Sequence, residues 1–576
     1  MIYKLFGLIK TRLGLWKIMM KNKYIEYDKK CEKCVNAIVN SNYTKKVIVS
    51  GPGTGKSYLF KKITENVQEN GGSRILVLSF INELINKLAK DLYGIAGVEV
   101  STLHSFALSQ LPKSANKFFL NIESIIEEDY RIIHDGKEIN FGKILCNLVD
   151  NGEDLEFYSR RRKYYNAFGP NCSIYALLKI FEEKKNKIPK FSQIMIDEFQ
   201  DFNKLEAALI DLLSEKSPIL IVGDDDQSLY SFRYANPDEI RYKNKSEEYV
   251  SFDLPFCRRC PKVIIDSFNC VVKEAKKKGY LKKRVERSFM YLPSEEKDKI
   301  SNDNPKIIVK NQIQQSAVAY HIEQDIEKIF NSKEEDMSIL IICSLKNQIP
   351  NLAKRLNEKG FNNIEVNKKN KNEELIEGFN LLLDDKESNL GWRIVCKYIL
   401  KDSLPCVVKK SSIENEQKKF KNLLNEGDKK SVESLLTVLR KIVDKKLILT
   451  EESKKLFDCF GYNPEEIVIQ KIKNDLDKNK FIKNKKVINN IRIKITTILG
   501  SKGLTNDYVF IVNCDDRFIL GKRKKITDEN ICKFIVALTR AKRRVYIYTS
   551  EDNFPTFVSW IDKRNIKEEL KKPRLD

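Results

Sequence analysis

Eight residues, Ser50-Gly51-Pro52-Gly53-Thr54-Gly55-Lys56-Ser57, follow directly on the apolar run Val47-Ile48-Val49. A strand that runs into such a turn and then into a helix lets backbone N–H groups approach a polyphosphate. Gly51, Pro52, Gly53, Thr54 and Gly55 would form the cradle, and Lys56 would reach the β- and γ-phosphates. The Ser57 hydroxyl could hold Mg²⁺. Ser50 stands where the strict pattern has its first glycine. Further on, Ile-Met-Ile-Asp-Glu-Phe-Gln-Asp at 194–201 puts two carboxylates at the end of another apolar run. Asp197 could complete the Mg²⁺ shell begun by Ser57, and Glu198 could orient and deprotonate an attacking water. The chemistry these residues predict is hydrolysis of a nucleoside triphosphate.

The elements that must position them form two series. Short β-rich runs at 47–50, 75–80, 98–102, 194–197 and 219–224 alternate with helical periodicity, and a second set lies at 306–310, 338–344, 491–498, 508–514 and 545–549. Such alternation predicts an α/β fold with parallel sheets covered by helices on both faces. Two mainly helical segments interrupt the pattern. One spans 107–187 and the other, rich in lysine, spans 401–486. The division that follows is an N-terminal extension at 1–27, a first α/β domain at 28–106 and 188–250, and the first insertion at 107–187. A second α/β domain at 251–400 and 487–555, the second insertion at 401–486 and a tail at 556–576 complete it.

Formal charge is +24, from 104 Lys+Arg against 80 Asp+Glu. A surplus of that size favours a polyanionic partner through counterion release, although a Lys-, Asn- and Ile-rich composition produces the same balance without one. Thirteen cysteines and no secretory signal fit a reducing, cytoplasmic setting. The first twenty residues mix apolar side chains with Lys4, Lys10, Arg12 and Lys17, too charged and too short to span a membrane. They read either as a basic amphipathic helix or as a stretch ahead of a start at Met19 or Met20. No membrane partner is expected. Cys31-x-x-Cys34 and Cys257-x-x-Cys260 could in principle bind zinc, but buried free thiols are the default for pairs so far apart.

Further motifs follow in a recognisable order. They are Leu78-Ser-Phe80-Ile-Asn82, Val100-Ser-Thr102-Leu-His104-Ser-Phe106, Ile196-Asp-Glu-Phe-Gln-Asp201 and Val222-Gly-Asp-Asp-Asp-Gln227-Ser-Leu-Tyr230-Ser-Phe232-Arg233. Thr496–Val512 and Phe534–Ile547, the latter containing Ala-Leu-Thr-Arg540-Ala-Lys, close the series. In order and spelling they resemble the UvrD/Rep-like superfamily 1 DNA helicases over most of 31–550. The resemblance implies two RecA-like P-loop domains, each with a mainly helical insertion, and ATP with Mg²⁺ held by Ser57 and Asp197. It implies that Gln227 senses the γ-phosphate and that Arg259 and Arg540 stabilise charge on it from the second domain. It also implies DNA contacts from Phe80, Asn82, Thr102, His104, Tyr230, Phe232 and Arg233, with the aromatic rings stacking on bases.

Four positions depart from the family. Cys34 lies near the place of its adenine-reading Gln, Arg258 replaces a base-stacking Tyr, Thr505 replaces a Glu and Leu499 a His. Arg258 is expected to stack on the base instead, with relaxed preference for ATP over GTP. In the first insertion, Arg160-Arg-Arg-Lys163 beside Tyr164 and Tyr165 reads either as a contact to a nucleic-acid backbone or as a solvated face. The expected activity is ATP-driven movement on single-stranded DNA, by family 3′→5′, acting also at junctions with duplex. Two alternatives stand beside it: an accessory ATPase partnered with a nuclease in defence or repair, and a non-hydrolysing DNA clamp.

Overall fold

The computed structural model describes residues 2–80, 82–92, 94–112, 117–149, 152–332, 337–361, 363–366, 373–413, 417–443, 491–521 and 525–569. The chain divides into two compact units, one made of 1–106, 180–367 and 488–576, the other of 107–179 and 368–487.

The first unit holds two large, wholly parallel sheets. Six strands, β1 (Lys45–Val49), β2 (Ile75–Ser79), β3 (Val98–Thr102), β4 (Gln193–Ile196), β5 (Ile219–Gly223) and β6 (Val250–Phe252), lie in the order β3-β2-β4-β5-β1-β6. The four inner strands β2, β4, β5 and β1 are rich in Val, Ile and Leu and buried, as strands covered on both faces must be. The order has a direct consequence. Strands β4, β5 and β1 are adjacent, so the loops that follow them, carrying Asp197, Gln227 and Lys56, open side by side at one carboxyl edge. Helix Ile2–Val39 precedes β1, and its Val35 and Ile38 join Leu59, Phe60 and Ile63 of helix Lys56–Glu69 in the first core.

The second sheet has seven strands, β7 (Ile307–Lys310), β8 (Met337–Cys343), β9 (Ile364–Val366), β10 (Ile491–Thr497), β11 (Asn506–Val512), β12 (Ala541–Tyr548) and β13 (Ile566–Glu568). Their order is β9-β10-β8-β11-β12-β7-β13. Separate apolar clusters pack against its faces, one gathered on helices Lys262–Lys277 and Asp528–Leu538 and the other on Val318–Ser332 and Gln348–Glu358. Every sequence-predicted strand is present within a few residues. The short edge strands β6, β9 and β13 went unread because three residues carry no period.

The second unit is helical, with Ile122–Ile133, Gly152–Tyr165, Glu373–Asp384, Asn389–Ile399, Leu404–Ile413 and Glu426–Val443 as its main elements. Residues 373–399, which the sequence division assigned to the second α/β domain, fall in this unit. Helices Glu373–Asp384 and Asn389–Ile399 meet at glycines, since a Cβ on Gly378 would lie 2.6 Å from Ile394 Cγ2 and one on Gly391 2.8 Å from Leu382. The unit boundary lies at 367/368; helical periodicity alone could not tell which unit such a pair joins. Residues 444–490, which include the second half of the lysine-rich insertion, lie outside the described residues, as do the side chains of residues 2–18.

Candidate active site

The phosphate loop depends on two left-handed glycines. Gly53 has φ 71° and Gly55 φ 95°, a region where a side chain is strained. A Cβ on Gly53 would also meet Arg259 Cβ at 2.5 Å, and one on Gly51 the Phe289 ring at 2.5 Å. Thr54 Oγ1 donates within the loop to the Gly51 carbonyl at 3.1 Å and lies 3.2 Å from Ser50 Oγ. A serine at position 50 therefore takes part in the turn. Gly55 caps helix Lys56–Glu69 without a side chain, so the first N–H groups and the positive end of the helix dipole face the loop.

The adjacent strand brings Asp197 and Glu198. Asp197 N–H donates to the Leu78 carbonyl at 2.8 Å, while Asp197 Oδ1 is buried without a hydrogen-bond partner. Burial and the neighbouring Glu198 charge push the Asp197 carboxyl up to about 7. A buried, unsatisfied carboxylate oxygen beside the Ser57 loop is the donor set a hard divalent cation takes, so the residues present fit Mg²⁺. Glu198 is held at φ 55° and its Oε2 accepts from Gln200 Nε2 at 2.6 Å. Burial pushes this carboxyl up, but Lys56 and Lys502 outweigh it and bring Glu198 down to about 2, ionised as a base must be.

From β5 comes Gln227, whose Nε2 donates to Asp224 Oδ2 at 2.6 Å. Its Oε1 accepts from Arg540 NH2 at 2.6 Å. Arg540 is buried, and its Nε donates to the Val536 carbonyl at 2.9 Å. Burial and the nearby Arg259 pull the Arg540 guanidinium down to about 9, which marks it as a cation short of anionic partners. Arg259 lies close by, with NH1 3.5 Å from the Thr539 carbonyl. A cleft of about 800 Å³ is lined by all of the expected nucleotide-site residues except Gly51. Arg258 is on its wall, half-buried, with its guanidinium 4.7 Å from the Tyr58 ring centroid and its NH2 3.2 Å from Glu32 Oε1 and from Cys31 Sγ. Thr505 lines the same cleft.

Two participants were missed. Lys502 Nζ donates to Asp201 Oδ2 and to the Gln227 carbonyl, each at 2.5 Å, and lies 3.7 Å from Glu198 Oε2. Gln200, besides holding Glu198, accepts from Asp224 N–H at 2.8 Å. A Cβ on Gly223 would sit 2.6 Å from Gln200 Oε1, so that glycine makes room for the link. Both residues stand within quoted motifs, Lys502 in Gly-Ser-Lys-Gly-Leu and Gln200 in Asp-Glu-Phe-Gln-Asp, yet nothing in the spacing assigns them a partner.

A few residues beyond Gln227 an aromatic surface begins to open. Phe80 packs on Tyr230 with centroids 5.2 Å apart and on Phe202 at 5.8 Å, and Tyr230 meets Phe232 at 5.9 Å. The Arg233 guanidinium lies 5.0 Å from the Phe80 ring centroid and Lys502 Nζ 5.4 Å from that of Tyr230. Phe232 is 62% exposed, available for stacking. Thr102 Oγ1 accepts from Ser105 N–H at 3.0 Å, the bond that begins helix Leu103–Gln110. His104 Nε2 faces Glu206 Oε1 at 3.6 Å, and burial pulls its imidazole down to about 4. Asn82 opens helix Asn82–Asp91, but its side chain lies outside the described residues.

One sequence reading is corrected. Arg161 belongs neither to a solvated face nor to a backbone-binding surface. It is buried and donates to Asp129 Oδ2 through Nε at 3.0 Å and through NH2, because the helix carrying it turns that position inward. The two Cys pairs do not converge. Cys257 Sγ contacts the Pro52 carbonyl at 3.3 Å, Cys31 Sγ accepts from Arg258, and among the described residues the only group with metal-like convergence is Asp224–Asp225–Asp226. Guanidinium groups already fill that cluster.

Comparison with known proteins adds to this geometry. Residues 33–233 match the model of an AAA domain, and residues 369–552 that of a UvrD-like helicase C-terminal domain. An ATP-dependent DNA helicase Rep of Buchnera aphidicola (subsp. Acyrthosiphon pisum) is 26% identical over 87% of this chain and 92% of its own length. A probable DNA helicase II homolog of Mycoplasma capricolum is 27% identical over 40% of this chain and 39% of that protein. The exonuclease/helicase subunit RexA of Lactococcus lactis (strain MG1363) is 36% identical over 16% of this chain and 8% of its own length. The chain thus spans well under half the length of several curated relatives it matches. Among the described residues no helix is long and apolar enough to cross a membrane.

Proposed function

The chain belongs to the UvrD/Rep-like helicase family, and from that premise we propose that it is an ATP-driven motor on single-stranded DNA, moving 3′→5′ and acting at junctions with duplex. The observation that carries this reading is one continuous loop. Gln227 at its start lines the nucleotide cleft, while Tyr230, Phe232 and Arg233 at its end make the exposed aromatic surface. Lys502 touches both, bonding the Gln227 carbonyl and lying over Tyr230. Occupancy of the cleft and the grip on a base are then mechanically joined.

In this reading the loop 51–57 cradles the triphosphate and Lys56 neutralises its outer phosphates. Ser57 and Asp197 would hold Mg²⁺, which would supply further charge neutralisation there. Glu198 takes the proton of the attacking water, with Gln200 fixing its carboxylate. Arg259 and Arg540, approaching from the second sheet, stabilise charge that builds on the γ-phosphoryl oxygens. Bases stack on Phe80, Tyr230 and Phe232 without regard to sequence. Arg258, with one face on Tyr58, offers its other face to the nucleobase, and selectivity for adenine over guanine is weak.

The test is ATP hydrolysis with and without single-stranded DNA, at two salt concentrations, for wild type and Glu198→Gln. Strong stimulation by DNA that vanishes in the variant and weakens at high salt supports the motor. DNA binding without turnover in the wild type would refute it in favour of a clamp. A relative named as part of an exonuclease/helicase favours a second reading, a motor that serves a nuclease partner; co-purification of nuclease activity at constant stoichiometry would single it out.

A further inference from the structure

Behind Gln227 lies a buried ionic cluster that the reaction as described does not use. Asp224, Asp225 and Asp226 follow β5 with side chains at most 1% exposed, and their oxygens approach within 4.8 Å of one another. Three carboxylates so close cannot all stay ionised without compensation. Arg287 supplies it at all three. Its NH2 donates to Asp224 Oδ1 at 2.5 Å and to Asp226 Oδ2 at 2.6 Å, and its NH1 to Asp225 Oδ1 at 2.5 Å. Arg284 Nε adds bonds of 2.8 and 2.9 Å to Asp226, and Arg241 Nε one of 3.1 Å to Asp225.

The three aspartates are not equivalent. Asp225 and Asp226 each have a second guanidinium. Among the described residues Asp224 pairs only with Arg287, which takes its Oδ1, whereas its Oδ2 accepts from Gln227 Nε2. The relay therefore runs Arg287, Asp224, Gln227, Arg540, with every link at 2.5–2.6 Å. Arg287 stands on the second core, between Leu281 and Phe289, whose side chains pack there, while Asp224–Gln227 hang from a strand of the first sheet.

We propose that Arg287 is a positioning residue for nucleotide hydrolysis: by clamping Asp224 it fixes the carboxamide of Gln227, and through it Arg540, in register with the γ-phosphate. This rests on the motor reading above. The guanidinium fork is essential to it, since a lysine carries its donors on a single nitrogen and cannot reproduce the planar two-nitrogen bridge that Arg287 makes through NH1 and NH2. Arg287 touches no nucleotide-binding residue of the phosphate loop, so its loss acts on kcat and leaves KM nearly unchanged.

The experiment compares steady-state ATP hydrolysis with single-stranded DNA, and thermal melting, for wild type, Arg287→Lys, Arg287→Met and the charge-balanced pair Arg287→Met with Asp226→Asn. The expected result is a kcat loss on the order of 10- to 100-fold for Arg287→Lys and for the balanced pair, at unchanged KM. The pair should melt close to wild type. If the balanced pair regains both wild-type melting and wild-type kcat, Arg287 only neutralises charge and the proposal is wrong. A KM rise with kcat intact would also overturn it, by placing Arg287 in binding. A wild-type protein without turnover would sink the motor reading, and the positioning role with it; a wild type that turns over isolates the failure to Arg287.

Discussion

Two buried arginine–carboxylate clusters, one in each unit, have similar composition and different consequences. In the helical unit Asp129 is fully buried between Arg161 and Arg393, with Arg393 Nε donating to Oδ1 at 2.7 Å and the Tyr165 hydroxyl to Oδ2 at 2.5 Å. Glu128 takes Arg393 NH2 at 3.1 Å. None of these partners lines the nucleotide cleft, and they join segments 264 residues apart in sequence. In the α/β unit Asp224 is held by one arginine and gives its other oxygen to Gln227 at the nucleotide cleft. A buried ion network is therefore weak evidence of function by itself. What distinguishes the two is whether one of the oxygens serves a reacting group.

The largest effect should come from breaking the first cluster. Asp129→Leu leaves two guanidiniums buried without their carboxylate, and urea denaturation should show a loss of about 3–5 kcal/mol. Replacing all three members, Asp129→Leu with Arg161→Met and Arg393→Met, should return stability to within ~1–2 kcal/mol of wild type and leave ATP turnover unaltered. If that triple variant turns over ATP far more slowly, the contrast between the clusters fails. On the nucleotide side, Asp224→Asn keeps the shape but weakens both of its links. Stopped-flow or steady-state assays should give a kcat lower by on the order of 10-fold, with a change in denaturation midpoint much smaller than that of Asp129→Leu.

Smaller effects sharpen the link between the nucleotide loop and the aromatic surface. Phe80→Ala removes the ring that Tyr230 and Arg233 pack on, so single-stranded DNA affinity measured by fluorescence anisotropy should fall by ~1–3 kcal/mol, with DNA-free turnover retained. Phe232→Trp enlarges an exposed stacking face, and the same titration should show binding tighter by roughly 2- to 3-fold, with the clusters untouched.

Much of this site was legible before any coordinates, for a physical reason. Strand–loop chemistry is local: Gly53, Gly55, Lys56 and Ser57 must be neighbours for backbone and side chains to wrap one phosphate, and Asp197 and Glu198 must share one strand end. Alternating buried strands likewise announce a parallel sheet, but that the loops after β1, β4 and β5 meet depends on the strand order, which the structure supplies. Phe80, Tyr230 and Phe232 could be named as a group because the family's motifs place aromatic rings at those positions, and the structure brings the three rings together. For Thr102 and His104 the spelling does not tell that the Thr102 hydroxyl caps a helix or that His104 faces Glu206.

The sequence by itself determined the kind of chemistry, the family and the order of the sheets' strands along the chain. Only the tertiary structure decided the partners. Lys502 reaches Asp201 across 301 residues, Arg540 reaches Gln227 across 313, and Arg287 reaches Asp224 across 63. Arginines 161 and 287 look alike in sequence, each among other basic residues, and one ends as a staple in the helical unit while the other clamps the nucleotide loop. The helical period and the run of charge fix which side chains can turn inward, but which carboxylate waits there depends on how distant elements cross, and no local spacing encodes that.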